Sequence, residues 1–181
     1  MRIKGTQEWG NVMNKVIETI NSRRSIRSYT DQQIPKETIE LLLTAAMNAP
    51  SACNQQIWHF IVVTDRDKLE QLSKFHDGVK YVKSASVAII ICGEPGAAIL
   101  DYYWVDDCAA ATQNLLLAAH SLGLGAVWTG INRQDTEAIE FYRRILAISD
   151  QYIPFAMVPI GYPTEVIPAH NNYDEKKVLW N

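Results

Sequence analysis

Apolar residues open the chain at helical spacing: Trp9, Val12, Met13, Val16, Ile17 and Ile20 fall on one face of a helix that should stop near Asn21 and Ser22. Pro35 suits a first helical position, and Ile39, Leu42, Leu43, Ala46 and Met47 form the buried stripe of a second helix that Pro50 ends. Residues 58–63 are aromatic and β-branched, which predicts a strand. Thr64, with Asp67 three positions on, reads as a capping box for a short helix through Leu69 and Leu72. Residues 87–92 are uninterruptedly apolar, the pattern of a strand buried on both faces. Residues 104–122 are alanine-rich and apolar nearly all round. That predicts a helix buried on every side, with small residues that let neighbours, a partner subunit included, approach closely. Gly123 is placed to cap it in the left-handed conformation, with Leu124 supplying the apolar contact that follows. A strand over 126–131, a helix over 136–147 and a core strand over 155–160 complete the pattern. From residue 162 the chain turns polar and proline-containing, and reads as an arm over a surface, not a second domain. The element order leaves α+β and α/β both open.

At 181 residues, 48% hydrophobic and 20% charged, the chain has the composition of one globular domain. A net charge of -3 and a pI near 5.8 exclude broad phosphate contact with a nucleic acid, so any basic site must be local. No apolar run follows the basic residues at the start, and none is expected to act as a secretory signal. The longest apolar stretch, 108–122, carries Gln113, Asn114 and His120 behind Asp106 and Asp107, which argues against a membrane span. Cys53, Cys92 and Cys108 are scattered without a CxxC pair, the expectation being reduced thiols in a cytoplasmic protein. His59, His76, His120 and His170 are equally dispersed, so no metal site is expected.

Three segments carry candidate chemistry. Residues 22–28 hold Arg23, Arg24 and Arg27 among Ser22, Ser25 and Ser28 in an otherwise acidic protein. Guanidinium groups are planar, permanently charged donors that match phosphate oxygens, and an extended strip would aim Arg23, Ser25 and Arg27 the same way. Taken alone, the strip is better explained as cations solvated beside a helix C-terminus. Residues 50–56, with Pro50, Ser51, Ala52 and Asn54, form a short polar loop of hydroxyl and amide groups, suited to lying against a flat ring or simply to reversing the chain. Residues 123–130 are glycine-rich, but Gly123 and Gly125 follow a helix and precede a strand, the reverse of a dinucleotide fingerprint. Cap glycines explain both. Gly130, in mid-strand, marks a close approach of ligand or backbone, beside Trp128 and Thr129. No Walker loop, HExxH or GxSxG occurs, and nothing favours a Ser-His-Asp triad.

In this order and spacing, over roughly residues 14–175, these segments resemble the nitroreductase family of flavoproteins. The matching pieces are residues 23–27, 49–56 leading into Trp58, 119–128 and 159–163. The resemblance implies a three-layer α/β/α variety of α+β fold, with a mostly antiparallel central sheet and an intertwined homodimer in which residues 162–181 reach over the partner. It implies an NAD(P)H-dependent flavin oxidoreductase that binds FMN at the dimer interface. NADH or NADPH would reduce it, and a nitroaromatic, quinone or similar electrophile would reoxidise it, in a ping-pong cycle. Arg23 and Ser25 should meet the phosphate and ribityl chain, with Arg24 adding main chain or charge, and Arg27 should lie by the N1 and C2 carbonyl edge. Pro50, Ser51, Ala52 and Asn54 should come from the other subunit, while Trp128, Thr129 and Gly130 pass close to the ring. No protein residue is then catalytic in the covalent sense, since hydride arrives at and leaves from the flavin N5.

Two positions depart from the family pattern. Ile57 stands where many relatives carry proline, which alters local stiffness. Asn172 stands before Tyr173 and Asp174, where relatives place an arginine. If that arginine grips phosphate, its loss costs about 1.5–3 kcal/mol, or about ten- to hundredfold in affinity, unless Lys176 or Lys177 substitutes. Asn172 is the feature that favours the alternative function, an FMN-binding storage or sensor protein with little turnover.

Overall fold

The computed structural model describes residues 14–181. The expected positions Trp9, Val12 and Met13 of the first helix lie outside the described residues. Within them, helix α1 spans Lys15–Ser22, capped by the Asn14 side chain, which accepts from the Val16 amide at 2.8 Å. It stops where the apolar spacing stops. Its apolar residues Val16, Ile17 and Ile20 are 63%, 51% and 46% exposed, an apolar face that this single chain leaves uncovered.

Helix α2 (Lys36–Met47) buries Ile39, Leu42 and Ala46. Met47, expected on that stripe, is exposed instead. It is the last helical residue, and the chain turns away before anything packs over it. Strand β1 (Trp58–Val63) falls where its β-branched run predicts. Helix α3 (Arg66–Leu72) is capped by Asp65, which accepts from the Asp67 and Lys68 amides, and not by the expected Thr64. A carboxylate one position later reaches both free amides and suits the positive helix end. Strand β2 (Val87–Gly93) is buried throughout. Helix α4 (Trp104–Ser121) ends at Gly123, whose φ of +74° is the left-handed conformation expected of it, and the Leu124 amide reaches back to the Ala119 carbonyl at 2.9 Å.

The expected strand over 126–131 is instead two short ones, β3 (Gly125–Ala126) and β4 (Thr129–Gly130), separated by Val127 and Trp128. Both pair with β5 (Ile153–Gly161), but in different registers. The interruption lets Trp128 turn its ring onto Phe155, 5.6 Å away, in place of continuing the ladder. Helix α5 (Thr136–Leu146) precedes β5.

The sheet runs β1-β2-β5-β3, with β4 also on β5, and every ladder is antiparallel. The fold is α+β. Along β2, Val87, Ile89 and Ile91 join the core shared with α2 and α4, while Ala88, Ile90 and Cys92 join the core shared with α3 and α5. An all-apolar strand has a partner for each face, and each buried isoleucine contributes about 1.5–3 kcal/mol. Residues 77–84, not foreseen as an element, form 3₁₀ turns that bury Val79 and Val82 and present Tyr81. The C-terminal arm is tied down at its start, where the Thr30 amide donates to Tyr162 O (2.8 Å) and the Thr164 amide to Ser28 O (3.1 Å). Its end leaves Leu179 and Trp180 nearly fully exposed. Among the described residues, no helix is long and apolar enough to cross a membrane.

Candidate functional site

Arg23 closes α1 and turns the chain into an extended strip. Ser25 makes a parallel bridge to Ala126, and the Ile26 amide donates to the Ala126 carbonyl at 3.0 Å. Ile26 is buried, and the Tyr29 hydroxyl locks the strip by donating to Ile26 O at 2.6 Å. Alternation does the rest: the buried Ile26 faces in, and Arg27 beside it is exposed. Gly125 is what lets the strip lie this close, since a Cβ there would stand 2.6 Å from Ile26 Cγ2.

Arg23 and Arg24 line one cleft of about 630 Å³ with Asn21, Asn171, Asn172 and Tyr173. The two cations play different parts. Arg24 donates to Pro168 O (3.0 Å), Asn21 O (2.9 Å), Arg23 O (2.6 Å) and His170 O (3.4 Å), so it pins the arm to the end of α1 and contributes charge. Arg23 has no carboxylate within ion-pair distance among the described residues. Burial, and then the Arg24 charge, pull it below the ordinary guanidinium value. Such a pair is strained against itself until an anion arrives. His120 stands behind it, with Nε2 2.8 Å from Ser22 Oγ. Since that hydroxyl already donates to Glu18 O, the imidazole is the donor in this contact. Burial, Arg23 and Arg24 hold His120 below its usual value, which keeps it neutral near pH 7.

The 50–56 loop is built around a 3₁₀ turn, Ala52–Asn54, with positive φ at Cys53, Asn54 and Gln56. Ser51 Oγ accepts from the Gln56 amide at 3.0 Å. Asp107, almost wholly buried on α4, accepts from the Ala52 amide at 2.8 Å and from Gln55 Nε2 at 2.6 Å. Pro50, Ser51 and Ala52 line a second cleft, of about 560 Å³, with Tyr103. Asn54 is exposed at the loop tip. The two clefts have no lining residue in common, so one chain alone does not bring the loop to Arg23 and Arg24.

A third group gathers around Tyr81. Its ring lies under the exposed Arg27 guanidinium, 5.9 Å from the centroid, and its hydroxyl is 2.7 Å from Thr129 Oγ1. A Cβ added to Gly130 would meet nothing within 4 Å, so this glycine does not make room for its own chain. Arg27, Thr129 and Gly130 thus gather around Tyr81, with the Trp128 ring set edge-to-face against Phe155.

Tyr81, Asp107 and His120 were not singled out from the sequence as site residues. Asp107 carried a readable signal, a carboxylate inside an otherwise apolar helix; Tyr81 carried none. Burial pushes the Cys92 thiol up to about 12, and Cys108 is pushed up likewise, so neither is a thiolate at neutral pH. Among the described residues, no group of His, Cys, Asp and Glu is arranged to hold a metal ion.

A family model described as nitroreductase family matches residues 20–80 and 82–162, which include the arginine strip, the 50–56 loop and the turn at Trp128 and Thr129. The chain is 45% identical over 163 residues to a protein of Methanothermobacter thermautotrophicus provisionally named NADH dehydrogenase/NAD(P)H nitroreductase, covering 90% of this chain and 85% of the relative. It is 30% identical over 172 residues to the FMN reductase (NADPH) of Bacillus subtilis, covering 85% of this chain and 68% of that one. The solved structure of an FMN-dependent nitroreductase from Clostridium difficile superposes with a TM-score of 0.84 at 34% identity, over 91% of this chain and 98% of the other. With nearly its whole length matched in sequence and in backbone, this chain belongs to the nitroreductase family.

Proposed function

We propose that the protein is an FMN-dependent NAD(P)H oxidoreductase, working as an intertwined homodimer of three-layer α/β/α subunits. It passes electrons from NADH or NADPH to nitroaromatic, quinone or similar electrophilic acceptors in a ping-pong cycle. The observation that carries this reading is the cleft holding Arg23 and Arg24, where two guanidinium groups converge with no carboxylate among the lining residues. The donor set fits a phosphate. The names of the relatives, FMN reductase and FMN-dependent nitroreductase, agree with it.

Bound FMN supplies two-electron exchange at its ring; the protein supplies position, charge and shelter. Arg23 binds the phosphate and Ser25 the ribityl side, while Arg24 adds charge and holds the arm. Arg27 places a permanent cation at the pyrimidine edge of the ring, beside Thr129, Gly130 and Trp128. Pro50, Ser51, Ala52 and Asn54 complete the site from the other subunit, with residues 162–181 lying over that subunit. The separation of the two clefts within one chain supports this division. So do the uncovered apolar face of α1 and the bare Leu179 and Trp180.

Anaerobic titration with NADH or NADPH tests the activity. The yellow colour should bleach within seconds and return when a quinone or nitroaromatic is added. A flavin that stays oxidised would instead support storage or sensing, and a colourless protein that takes up no FMN would remove the reading altogether. Arg27→Ala should keep FMN but lower its two-electron potential by about 30 mV, the equivalent of about 1.4 kcal/mol. A wild-type potential in that variant would separate Arg27 from the pyrimidine edge.

A further inference from the structure

The 50–56 loop holds an unfavourable backbone. Cys53, Asn54 and Gln56 have φ of 49°, 52° and 48°, a region that asparagine tolerates but cysteine and glutamine avoid. Its internal bonds, Asn54 N to Ser51 O, Gln55 N to Ala52 O and Gln56 N to Ser51 Oγ, shape the turn without anchoring it. The anchor lies outside. Asp107, 3% exposed, offers one carboxylate oxygen to the Ala52 amide and the other to Gln55 Nε2. Gln55 Nε2 also donates to Leu100 O at 3.3 Å, and Gln55 Oε1 accepts from the Leu100 amide at 3.1 Å.

The chemistry of this network is selective. Asp107 meets the two donors on its two different oxygens, so a side-chain amide in its place would set its NH2 against one of them. It has no cation within ion-pair distance among the described residues, so an apolar residue would be the less demanding occupant of a site this buried. The Gln55 amide cannot flip. Turning it would set its oxygen against Asp107 Oδ2 and Leu100 O, and its NH2 against the Leu100 amide. One carboxylate therefore fixes both Ala52 and the start of the segment bearing the exposed Tyr102 and Tyr103. Tyr103 and Ala52 are walls of the same cleft.

We infer that Asp107, acting through Gln55, is the positioning residue that holds the 50–56 loop in its cofactor-binding shape and ties it to the Leu100–Tyr103 wall. This rests on the proposal that the loop receives FMN. The test is the dissociation constant of FMN, read by fluorescence quenching on the deflavinated full-length protein, with thermal stability followed alongside. Asp107→Asn turns one acceptor into a donor facing the Gln55 NH2, and should weaken FMN about ten- to hundredfold. Adding Gln55→Glu restores the contact between the two side chains: the amide introduced at position 107 would donate to the new carboxylate, which still accepts from the Leu100 amide but gives up the longer 3.3 Å bond to Leu100 O. The D107N/Q55E pair should recover part of the lost affinity, which a merely destabilised core would not do. Gln55→Ala, at a half-buried position, gives a second route should D107N fail to fold, and should loosen FMN about tenfold. Wild-type affinity in D107N or in Q55A, or loss in D107N that the pair does not recover, overturns the inference. Failure of the wild-type protein itself to bind FMN would strike the underlying function instead.

Discussion

Arg23→Ala should bind FMN about a hundredfold more weakly than wild type while remaining folded. Arg23 is a guanidinium without a carboxylate partner among the described residues, held partly out of water beside the Arg24 charge. Removing it relieves repulsion in the empty protein and deletes a charge-assisted contact in the loaded one, so both changes shift the balance against binding. A charge-assisted contact is worth about 1.5–3 kcal/mol, the upper end of which is about a hundredfold. The neighbouring Asn172 lines the same cleft and carries no charge, and Arg24 there is held by backbone carbonyls, so neither takes over the contact of the lost cation. Fluorescence titration of the deflavinated variant measures the constant, and circular dichroism checks the fold. Retention of FMN at wild-type affinity would remove Arg23 from the phosphate site.

Gly125→Ala should destabilise the protein by about 1–3 kcal/mol and loosen FMN as well. The new methyl would lie 2.6 Å from Ile26 Cγ2, 2.9 Å from Ile26 Cβ and 3.2 Å from Pro163 Cβ. Neither neighbour is the free end of a long side chain. Ile26 is buried and β-branched, its amide is bonded to Ala126, and its carbonyl receives the Tyr29 hydroxyl. The relief available is movement of the strip itself, which carries Arg23, Ser25 and Arg27 away from their places. Urea unfolding and FMN titration of the one variant should therefore both shift. A stability loss with unaltered FMN affinity would mean that the strip yields without displacing its arginines.

Most elements were legible because their cause is local. The spacing of Ile39, Leu42 and Ala46, the unbroken run of β2 and the left-handed Gly123 each depend on neighbours in sequence. Departures arose where a distant group intervened. The strand expected over 126–131 is broken by Trp128, whose ring is drawn to Phe155 on β5. Tyr81 joins Arg27 on the strip to Thr129, which lies 48 positions further along the chain, and no spacing rule spans that. Asp107 reads as an anomaly in an apolar helix until Ala52 and Gln55 are seen to surround it.

By itself, the order of polar and apolar residues determined the helices, the core strands and the chemical type of the site, a cationic strip and a polar loop in an acidic chain. Tertiary structure alone decided which of those charges is free to bind. Arg23 and Arg24 are adjacent and identical in type, yet one is committed to four backbone carbonyls, three of them on residues other than its neighbour in the chain, and the other is not. Side-chain type follows from sequence; hydrogen-bond partners follow from which distant carbonyls the fold brings within about 3 Å.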